Sequence, residues 1–380
     1  MRTCRRPIAL AVLIAGAAAC GGETPTPPNA EETTQESGAP AESAEPSPAA
    51  DAGAPSLPQG MAVFPADRSL HRPEDGVLLA DGTLVVSDQR TGLAAIAPDG
   101  AVRPFGDFAG AGYVYAPPAR PAGPNSVTVE PGGAHILVAD LFSGAIYRVD
   151  VASEATEKIY QHAYGVNAAR RDGTGALWFT QSTENAGDNS EARLFQAADR
   201  PMGDGALFRL APDASDAERV LSGLDFANGF VVDEARGALY LAETAGDRLL
   251  GFTLDVATGA LSDRRVVASL PTPDNVELGP GGRLWVASPI SSTVVAIDPD
   301  DGSATPIFAP PNPNRDRIVA EWTRRGDAGE TRLDLIGPDL LGAAPGVVTG
   351  VIPPASDGGA YYVTTLGDAL VAVAASSSTN

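Results

Sequence analysis

Six polar side chains recur at matched positions along the chain, each about ten residues ahead of a short apolar run. The offsets from the polar residue to the start of that run are 10, 11, 10, 11, 10 and 12 residues. A constant offset places each side chain at the same point of a repeated structural unit. The six residues are Glu74, Asn125, Asn167, Asn228, Asp274 and Thr349.

Two carboxylates and three amides in one place would form a site for a hard cation. Ca²⁺ accepts six to eight oxygen ligands in flexible geometry, and Glu74 and Asp274 would balance its charge. No His or Cys joins the set, which disfavours zinc, copper and iron. Without a cation the two carboxylates would repel, and one would take up a proton. The alternative is that Asn and Asp here are ordinary turn residues, which explains one position well but five of six repeats poorly.

The elements that must position these residues are short β-rich runs, most of which follow a glycine-containing turn. Glycine supplies the positive φ that a tight hairpin needs. A third strand follows each run, and the runs start 41 to 77 residues apart. The six runs are residues 84–88, 136–140, 177–181, 239–243, 284–288 and 361–365.

Repeated units of roughly 50 residues with three or four strands are typical of a β-propeller. We therefore predict an all-β fold, a six-bladed β-propeller over residues 60–380. The first strand of each blade lines the central channel, so the six polar residues would gather at one mouth of it. Long insertions near 182–204 and 310–335 are expected to form loops over one face, where ligands bind.

Composition excludes several classes of protein. The chain has 380 residues and a formal net charge of −22, so it lacks the clustered cations that nucleic acid requires. With 42 Gly and 33 Pro it does not resemble a helical bundle, because both residues interrupt helices. No apolar run beyond the leader approaches the roughly 18 residues of a membrane-spanning helix.

The N-terminal segment has the pattern of an export signal. Residues 1–19 combine a basic start with an apolar run, and Ala17, Ala18 and Ala19 precede Cys20. This predicts a lipoprotein-type signal peptide, with Cys20 lipidated as the only membrane attachment of a cell-envelope protein facing the periplasm or outer membrane. An ordinary signal-peptidase cut, which would give a secreted protein, is the alternative. Residues 20–59 predict a disordered Pro/Ala/Glu-rich tether, and the propeller is expected to be a monomer.

Three short stretches resemble the calcium-dependent six-bladed hydrolase superfamily that contains gluconolactonase, regucalcin, diisopropyl fluorophosphatase and the paraoxonases, with strictosidine-synthase-like proteins as outer relatives. The stretches are residues 73–76 (Pro-Glu-Asp-Gly), 226–229 (Phe-Ala-Asn-Gly) and 273–276 (Pro-Asp-Asn-Val), the last followed by 284–286 (Leu-Trp-Val). The resemblance covers about residues 70–375.

The resemblance implies roles for individual residues. The calcium ligands would be Glu74, Asn167, Asn228 and Asp274, with Asn275 as an additional ligand of the paraoxonase type. Asn125 occupies a position that faces the substrate in relatives, and Thr349 is expected beside it. Many relatives have Asn-Asp where this chain has Asn167-Ala168, which argues against a second, structural calcium. The paraoxonase histidine pair is also missing.

These features predict an enzyme that hydrolyses a small lactone or ester. Calcium would hold the carbonyl oxygen and stabilise the developing oxyanion. Asp274 is the candidate general base or nucleophile. Two alternatives stay open: a propeller that binds a ligand or partner around a purely structural calcium, and a phosphotriester hydrolase that uses the same metal.

Overall fold

The computed structural model describes residues 56–117, 122–186 and 190–375, which form six four-stranded antiparallel sheets in a ring. The all-β, six-bladed propeller predicted from the repeat is therefore confirmed. The predicted signal peptide, Cys20 and the tether up to residue 55 lie outside the described residues. Within the described ranges, no helix has the length and apolar character needed to cross a membrane.

The first three blades follow one another along the chain after an initial strand, β1 (Met61–Phe64). Blade 1 contains β2 (Gly76–Leu78), β3 (Leu84–Asp88), β4 (Gly92–Ile96) and β5 (Val102–Pro104). Blade 2 contains β6 (Pro124–Val129), β7 (His135–Asp140), β8 (Ala145–Asp150) and β9 (Thr156–Gln161). Blade 3 contains β10 (Ala169–Arg171), β11 (Leu177–Gln181), β12 (Gly205–Leu210) and β13 (Glu218–Leu224).

The remaining blades continue in the same order. Blade 4 contains β14 (Ala227–Asp233), β15 (Ala238–Glu243), β16 (Arg248–Asp255) and β17 (Ala260–Ser269). Blade 5 contains β18 (Val276–Leu278), β19 (Leu284–Ser288), β20 (Thr293–Ile297) and β21 (Ala304–Phe308). Blade 6 contains β22 (Val348–Ile352), β23 (Tyr361–Thr365) and β24 (Leu370–Val373), with β1 as its outermost strand.

The ring is closed by a sheet built from both ends of the propeller. β1 pairs antiparallel with β24, from Met61 opposite Val373 to Phe64 opposite Leu370. Blade 6 thus takes three strands from the C-terminal part of the chain and one from the N-terminal part. Because these hydrogen bonds join distant segments, opening the ring at this point requires breaking a whole strand pair.

The core is divided into layers between neighbouring blades. Val85 of blade 1 packs in one cluster with Val138 of blade 2, and Leu84 of blade 1 packs in another with Ile352 of blade 6. Equivalent apolar clusters join blades 2 and 3, 3 and 4, 4 and 5, and 5 and 6. Burial of each large apolar side chain contributes about 1.5–3 kcal/mol, so each blade is stabilised mainly by its two neighbours.

Both long insertions leave the ring at one face, here called the mouth face, where the inner strands begin. In an antiparallel blade the second and fourth strands end where the first begins. The insertion after β11 contains α1 (Ser190–Asp199), and the one between β21 and β22 contains α2 (Arg315–Ala328) and α3 (Pro338–Leu341). The sequence predicted loops here, whereas the structure has helices.

The length of α2 is explained by its residue spacing. Ile318 and Trp322 are four residues apart, share one helix face and are both buried. Glu321 pairs with Arg325 across one turn on the exposed side, at 2.8 Å. The two insertions are also joined, because the Arg332 guanidinium donates to the backbone oxygen of Asp199, the last residue of α1, at 2.9 Å. The mouth face therefore carries one connected set of helices.

Candidate metal centre

The inner strands are irregular at the predicted site residues. In blade 2, Pro124 lies opposite Asp140 and Val127 opposite Val138, so three steps on β6 match two on β7. The extra residue is a β-bulge, which turns a side chain out of the regular pleat and is common beside functional sites. The same one-residue excess occurs beside Asn228 in β14 and at Thr349 in β22.

In blades 5 and 3 a similar bulge lies just before the inner strand begins. The N–H of Asp274 donates to the Ala287 carbonyl at 3.0 Å, and the Ala287 N–H donates to the Asn275 carbonyl at 3.2 Å. Two successive residues thus face one partner residue. The pair Asn167 and Ala168 faces Thr180 in the same way, through two hydrogen bonds of 2.9 Å. A bulge at each of these five positions explains how residues from separate blades are presented at one face.

Hydroxyl groups fix the orientation of the site amides. The Thr244 hydroxyl donates its proton to the Pro273 carbonyl at 2.7 Å, so it can only accept from the side-chain amide of Asn228, 2.9 Å away. This holds the Asn228 NH₂ group against Thr244 and leaves Asn228 Oδ1 free. The oxygen is buried and accepts no hydrogen bond from a described residue.

The same arrangement orients the neighbouring amide in blade 3. Ser182 Oγ donates to the Ala227 carbonyl at 2.8 Å and accepts from Asn167 Nδ2 at 2.9 Å. Asn167 Oδ1 therefore faces the other way, where it accepts a hydrogen bond from Asn125 Nδ2 at 3.0 Å. The structure thus joins two of the predicted residues directly. Neither Ser182 nor Thr244 was identified from the sequence, although both are hydroxyl residues just beyond the end of a second strand.

Glu74 is held by contacts to blades 5 and 6. Its Oε1 accepts a hydrogen bond from Asn275 Nδ2 at 3.1 Å, and its backbone carbonyl accepts from the hydroxyls of Thr349 and Thr364, each at 2.7 Å. Glu74 Oε2 is buried and has no hydrogen-bond donor among the described residues. Thr349, which was expected to face the substrate, thus holds the backbone of a candidate ligand, and its contact with substrate stays a prediction.

Burial and mutual repulsion disfavour the charged forms of the two carboxylates. Burial raises the pKa of Glu74 well above its usual range, and Asp274 and Asp75 raise it further, while Asn275 opposes the rise. Burial also raises the pKa of Asp274 to about 8, partly offset by a hydrogen bond from Asn228. A divalent cation between these groups would reverse both shifts.

The residues present fit a hard cation. Glu74 Oε2 and Asn228 Oδ1 are oxygens without hydrogen-bond donors, and Asp274 interacts electrostatically with Glu74. Within residues 56–117, 122–186 and 190–375, no group of three or more His, Cys, Asp or Glu is arranged to hold a metal. Two carboxylates with neighbouring amide oxygens are groups that would suit a hard cation such as calcium better than zinc.

A second polar layer lies three residues further along two of the inner strands. Arg170 pairs with Glu277 and donates to the carbonyl of Phe230 at 2.6 Å, so one side chain of blade 3 reaches blades 4 and 5. Burial, with a contribution from Glu277, raises the pKa of Asp75 to about 7, although the Val127 N–H and Arg170 oppose the rise. The positive charge at this depth of the channel is thus supplied by the Arg170 guanidinium.

A small cavity of about 20 Å³ opens beside the site on the side of blade 2. Its lining includes Arg72, Glu74, Asn125 and Phe142. Asn125, expected to face the substrate, therefore borders the same space as a candidate metal ligand. Arg72 was not singled out from the sequence, and the only signal for it is its position two residues before Glu74.

Comparison with known proteins was made by sequence and by structure. A sequence profile of the SMP-30/gluconolactonase/LRE-like region matches residues 114–315, more than half of the chain. Regucalcin from Bos taurus is 29% identical over 102 residues, which are 26% of this chain and 34% of that protein. Regucalcin from Danio rerio is 31% identical over 103 residues, 26% and 35% of the two chains. The matched stretch thus spans about one third of these relatives.

Solved structures share the fold over most of its length. A gluconolactonase from Xanthomonas campestris superimposes with a TM-score of 0.56 at 20% identity, covering 87% of this chain and 98% of its own. A luciferin-regenerating enzyme gives a TM-score of 0.54 at 14% identity, covering 83% and 95%. At these identities the similarity establishes the six-bladed architecture.

Proposed function

The chain belongs to the SMP-30/gluconolactonase/LRE-like family, and on that premise we propose that it is a calcium-dependent hydrolase of a lactone or ester. The observation that carries the proposal is the pair of buried oxygens, Glu74 Oε2 and Asn228 Oδ1, which have no hydrogen-bond donor among the described residues. A gluconolactonase among the structural relatives supports lactones as the substrate class.

The ligands of the calcium would be the side-chain oxygens brought together by the bulges. Glu74 and Asp274 supply the charge, Asn167 and Asn228 supply neutral oxygens, and Asn275 holds Glu74 Oε1 through its amide. Once bound, the ion supplies a positive charge that polarises a carbonyl oxygen and stabilises the negative charge that develops on it. Thr244 holds the Asn228 amide so that its Oδ1 is left for an ion, and Ser182 holds the Asn167 amide with its Oδ1 toward Asn125.

Asp274 is the residue proposed to carry out the chemistry. Its carboxylate lies at the mouth of the channel and is shielded from bulk water, with 7% of the residue exposed. Without a cation, burial raises the pKa of Asp274 to about 8, and a bound calcium would lower it and keep the carboxylate ionised at neutral pH, as a base or nucleophile must be. Asp274 therefore either takes a proton from the attacking water or attacks the carbonyl carbon itself.

The test is turnover of a panel of lactones and aryl esters, measured in calcium and in chelator. We expect Asp274→Ala to lower kcat by about 10²–10⁴-fold, and chelation to abolish activity reversibly. Asp81→Ala, in the exposed turn between β2 and β3 on the opposite face, is the matched control and should retain activity. Full activity of Asp274→Ala, or insensitivity to chelator, would contradict the proposal.

The same panel separates the alternative functions. A purely structural calcium would raise the melting temperature on binding but give no turnover of any substrate. Cleavage of an organophosphate in preference to every lactone and ester would instead indicate a phosphotriester hydrolase. Thermal denaturation by itself does not discriminate, since bound calcium stabilises the propeller in each case.

A further inference from the structure

Arg72 occupies a backbone conformation that does not suit it. Its φ is +55°, in the left-handed region that glycine adopts freely and that other residues adopt at a cost in free energy. The position lies in the loop between β1 and β2, two residues before the candidate ligand Glu74. The conformation assigns no function by itself, since the exposed Arg68 shares it, but it means that glycine would fit the backbone at position 72.

The guanidinium of Arg72 has no partner among the described residues. It lines the small cavity with Glu74 and Asn125, yet it forms no ion pair and donates no hydrogen bond within the described part of the chain. Burial lowers the pKa of the guanidinium, while the negative charges of Glu74 and Glu191 and the nearby Tyr115 oppose the fall. The group stays protonated in proteins, so a half-buried cation with no partner among the described residues borders the site.

The Arg72 guanidinium is not explained as a partner that neutralises the Glu74 carboxylate. Among the described residues Arg72 forms no ion pair with Glu74, whose Oε1 instead accepts a hydrogen bond from Asn275 Nδ2 at 3.1 Å. Arg170 shows what a structural arginine looks like in this channel, because it pairs with Glu277 and donates to two backbone carbonyls. If calcium takes up the charges of Glu74 and Asp274, the positive charge of Arg72 is left for a ligand.

We propose that Arg72 binds a carboxylate on the substrate, so that the preferred substrate is a lactone or ester carrying a carboxylate away from the reacting carbonyl. The planar guanidinium presents two parallel donors that match a carboxylate. Asn125, on the same cavity, offers an amide to the rest of the substrate. This inference rests on the proposed hydrolase function and adds the charge of the substrate to it.

The experiment compares two lactones that differ only in charge: γ-valerolactone, and the same ring with a carboxylate in place of the methyl group. The wild-type protein is expected to favour the carboxylated lactone in kcat/KM. Arg72→Gly should reduce that preference by about 10- to 100-fold, and Arg72→Lys by less. The melting temperature of Arg72→Gly should stay the same or rise, because glycine relieves the left-handed backbone.

The matched control is Arg68→Gly in the same loop. Arg68 also has a left-handed backbone, with φ +53°, but its side chain is exposed and pairs with Asp368 at 3.4 Å. This variant should keep the wild-type substrate preference. An unchanged preference in Arg72→Gly, or equal losses with both lactones, would overturn the proposal.

A binding measurement separates this inference from the proposed function. Affinity for the carboxylated lactone is measured by calorimetry in Asp274→Ala protein, with and without Arg72→Gly. If the wild type hydrolyses no lactone or aryl ester of the panel, the hydrolase proposal fails, yet a 10-fold or greater loss of binding on Arg72→Gly would still support the carboxylate site. Equal affinity with and without Arg72→Gly would reject it.

Discussion

At the scale of single residues, the candidate centre depends on side chains that do not touch the ion. Thr244 and Ser182 each give their hydroxyl proton to a backbone carbonyl of the next blade and so accept from a site amide. Because each hydroxyl has already donated its proton, it can only accept from the amide NH₂ group, and this fixes the orientation of the amide. Partners of this kind commonly alter metal affinity 10- to 100-fold when removed.

We predict that Thr244→Val weakens calcium binding by about tenfold. Valine matches threonine in shape but cannot accept from Asn228 Nδ2, so the amide loses the contact that keeps Oδ1 turned toward the ion. Calcium titration by calorimetry measures the change. Thr244→Ser, which retains the hydroxyl, should restore the affinity.

Thr128→Val is the matched control for this prediction. Thr128, on the inner strand β6, likewise donates to a backbone carbonyl, that of Ala169 at 2.8 Å, but it accepts from no site amide. If this variant loses as much calcium affinity as Thr244→Val, the loss reflects general damage to the channel, and the orienting role of Thr244 is wrong.

The candidate ligands were selected from the sequence because each sits at a constant offset from an apolar run. Glu74, Asn228 and Asp274 were selected in this way, and their role as metal ligands stays a prediction. The orienting hydroxyls and Arg72 were not, because their importance lies in contacts between blades and in a φ angle, and neither leaves a repeat in the sequence. Asn275 entered only through the family resemblance, and the structure places its amide on Glu74.

At the scale of elements, the bulges let neighbouring strands approach closely around the site. Gly229 follows Asn228 in the bulge of β14, where the backbone of blade 5 passes against it. A Cβ at this position would lie 2.6 Å from Asn275 Cα and 2.8 Å from Val276 N. These atoms are backbone and cannot rotate away, so the residue after the ligand has to be glycine.

We predict that Gly229→Ala lowers calcium affinity at least tenfold and destabilises the protein by about 1–3 kcal/mol, although it removes no ligand. The added methyl group must push the segment that carries Asp274 and Asn275. Calorimetric calcium titration and denaturant unfolding measure the two effects.

Gly337→Ala provides the comparison for this substitution. Gly337 has an extended backbone with φ −142°, and a Cβ there would meet nothing within 4 Å. This variant should bind calcium like the wild type. Normal calcium affinity in Gly229→Ala would show that the two blades are not held in register by this contact.

The elements also show where sequence reasoning stops. The hairpin periodicity was enough for the blade strands, but the insertion between β21 and β22 was predicted as loop and contains α2. Its helix pattern covers barely four turns inside a segment with flanking Pro and Gly, and its apolar residues Ile318 and Trp322 find their partners only on the assembled mouth face.

At the scale of the whole molecule, the site lies where residues from several blades of the closed ring come together. Glu74 lies just before the inner strand of blade 1 and Asp274 just before that of blade 5, and β1 closes the ring by completing blade 6 between them. Folding brings both carboxylates together whether or not a cation is present. The free energy of unfolding of the calcium-free protein therefore contains the cost of this pair, and that cost depends on pH.

We predict that calcium-free protein loses stability as pH rises from about 4 to about 8. Asp274 has a pKa raised to about 8 in the folded state, against an ordinary value of 3.8, and the pKa of Glu74 is raised as well. Over this window the folded state holds protons that the unfolded chain has released. The free energy of unfolding then falls as pH rises, by up to about 1.4 kcal/mol per pH unit for each such proton. Thermal melts in chelator across the range measure the slope.

The variant Asp274→Asn separates the pH dependence that comes from Asp274 from that of the other carboxylates of this acidic protein. A chain with a net charge of −22 is also destabilised by general repulsion as its carboxylates ionise, and the variant retains that contribution while lacking the titrating group. The wild type should therefore lose more stability than Asp274→Asn between pH 4 and 8 in chelator. Saturating calcium should remove the excess loss, because the ion favours the ionised carboxylates. Equal slopes for the two proteins in chelator would mean that Asp274 titrates normally, and that folding does not force the two carboxylates into a shared site.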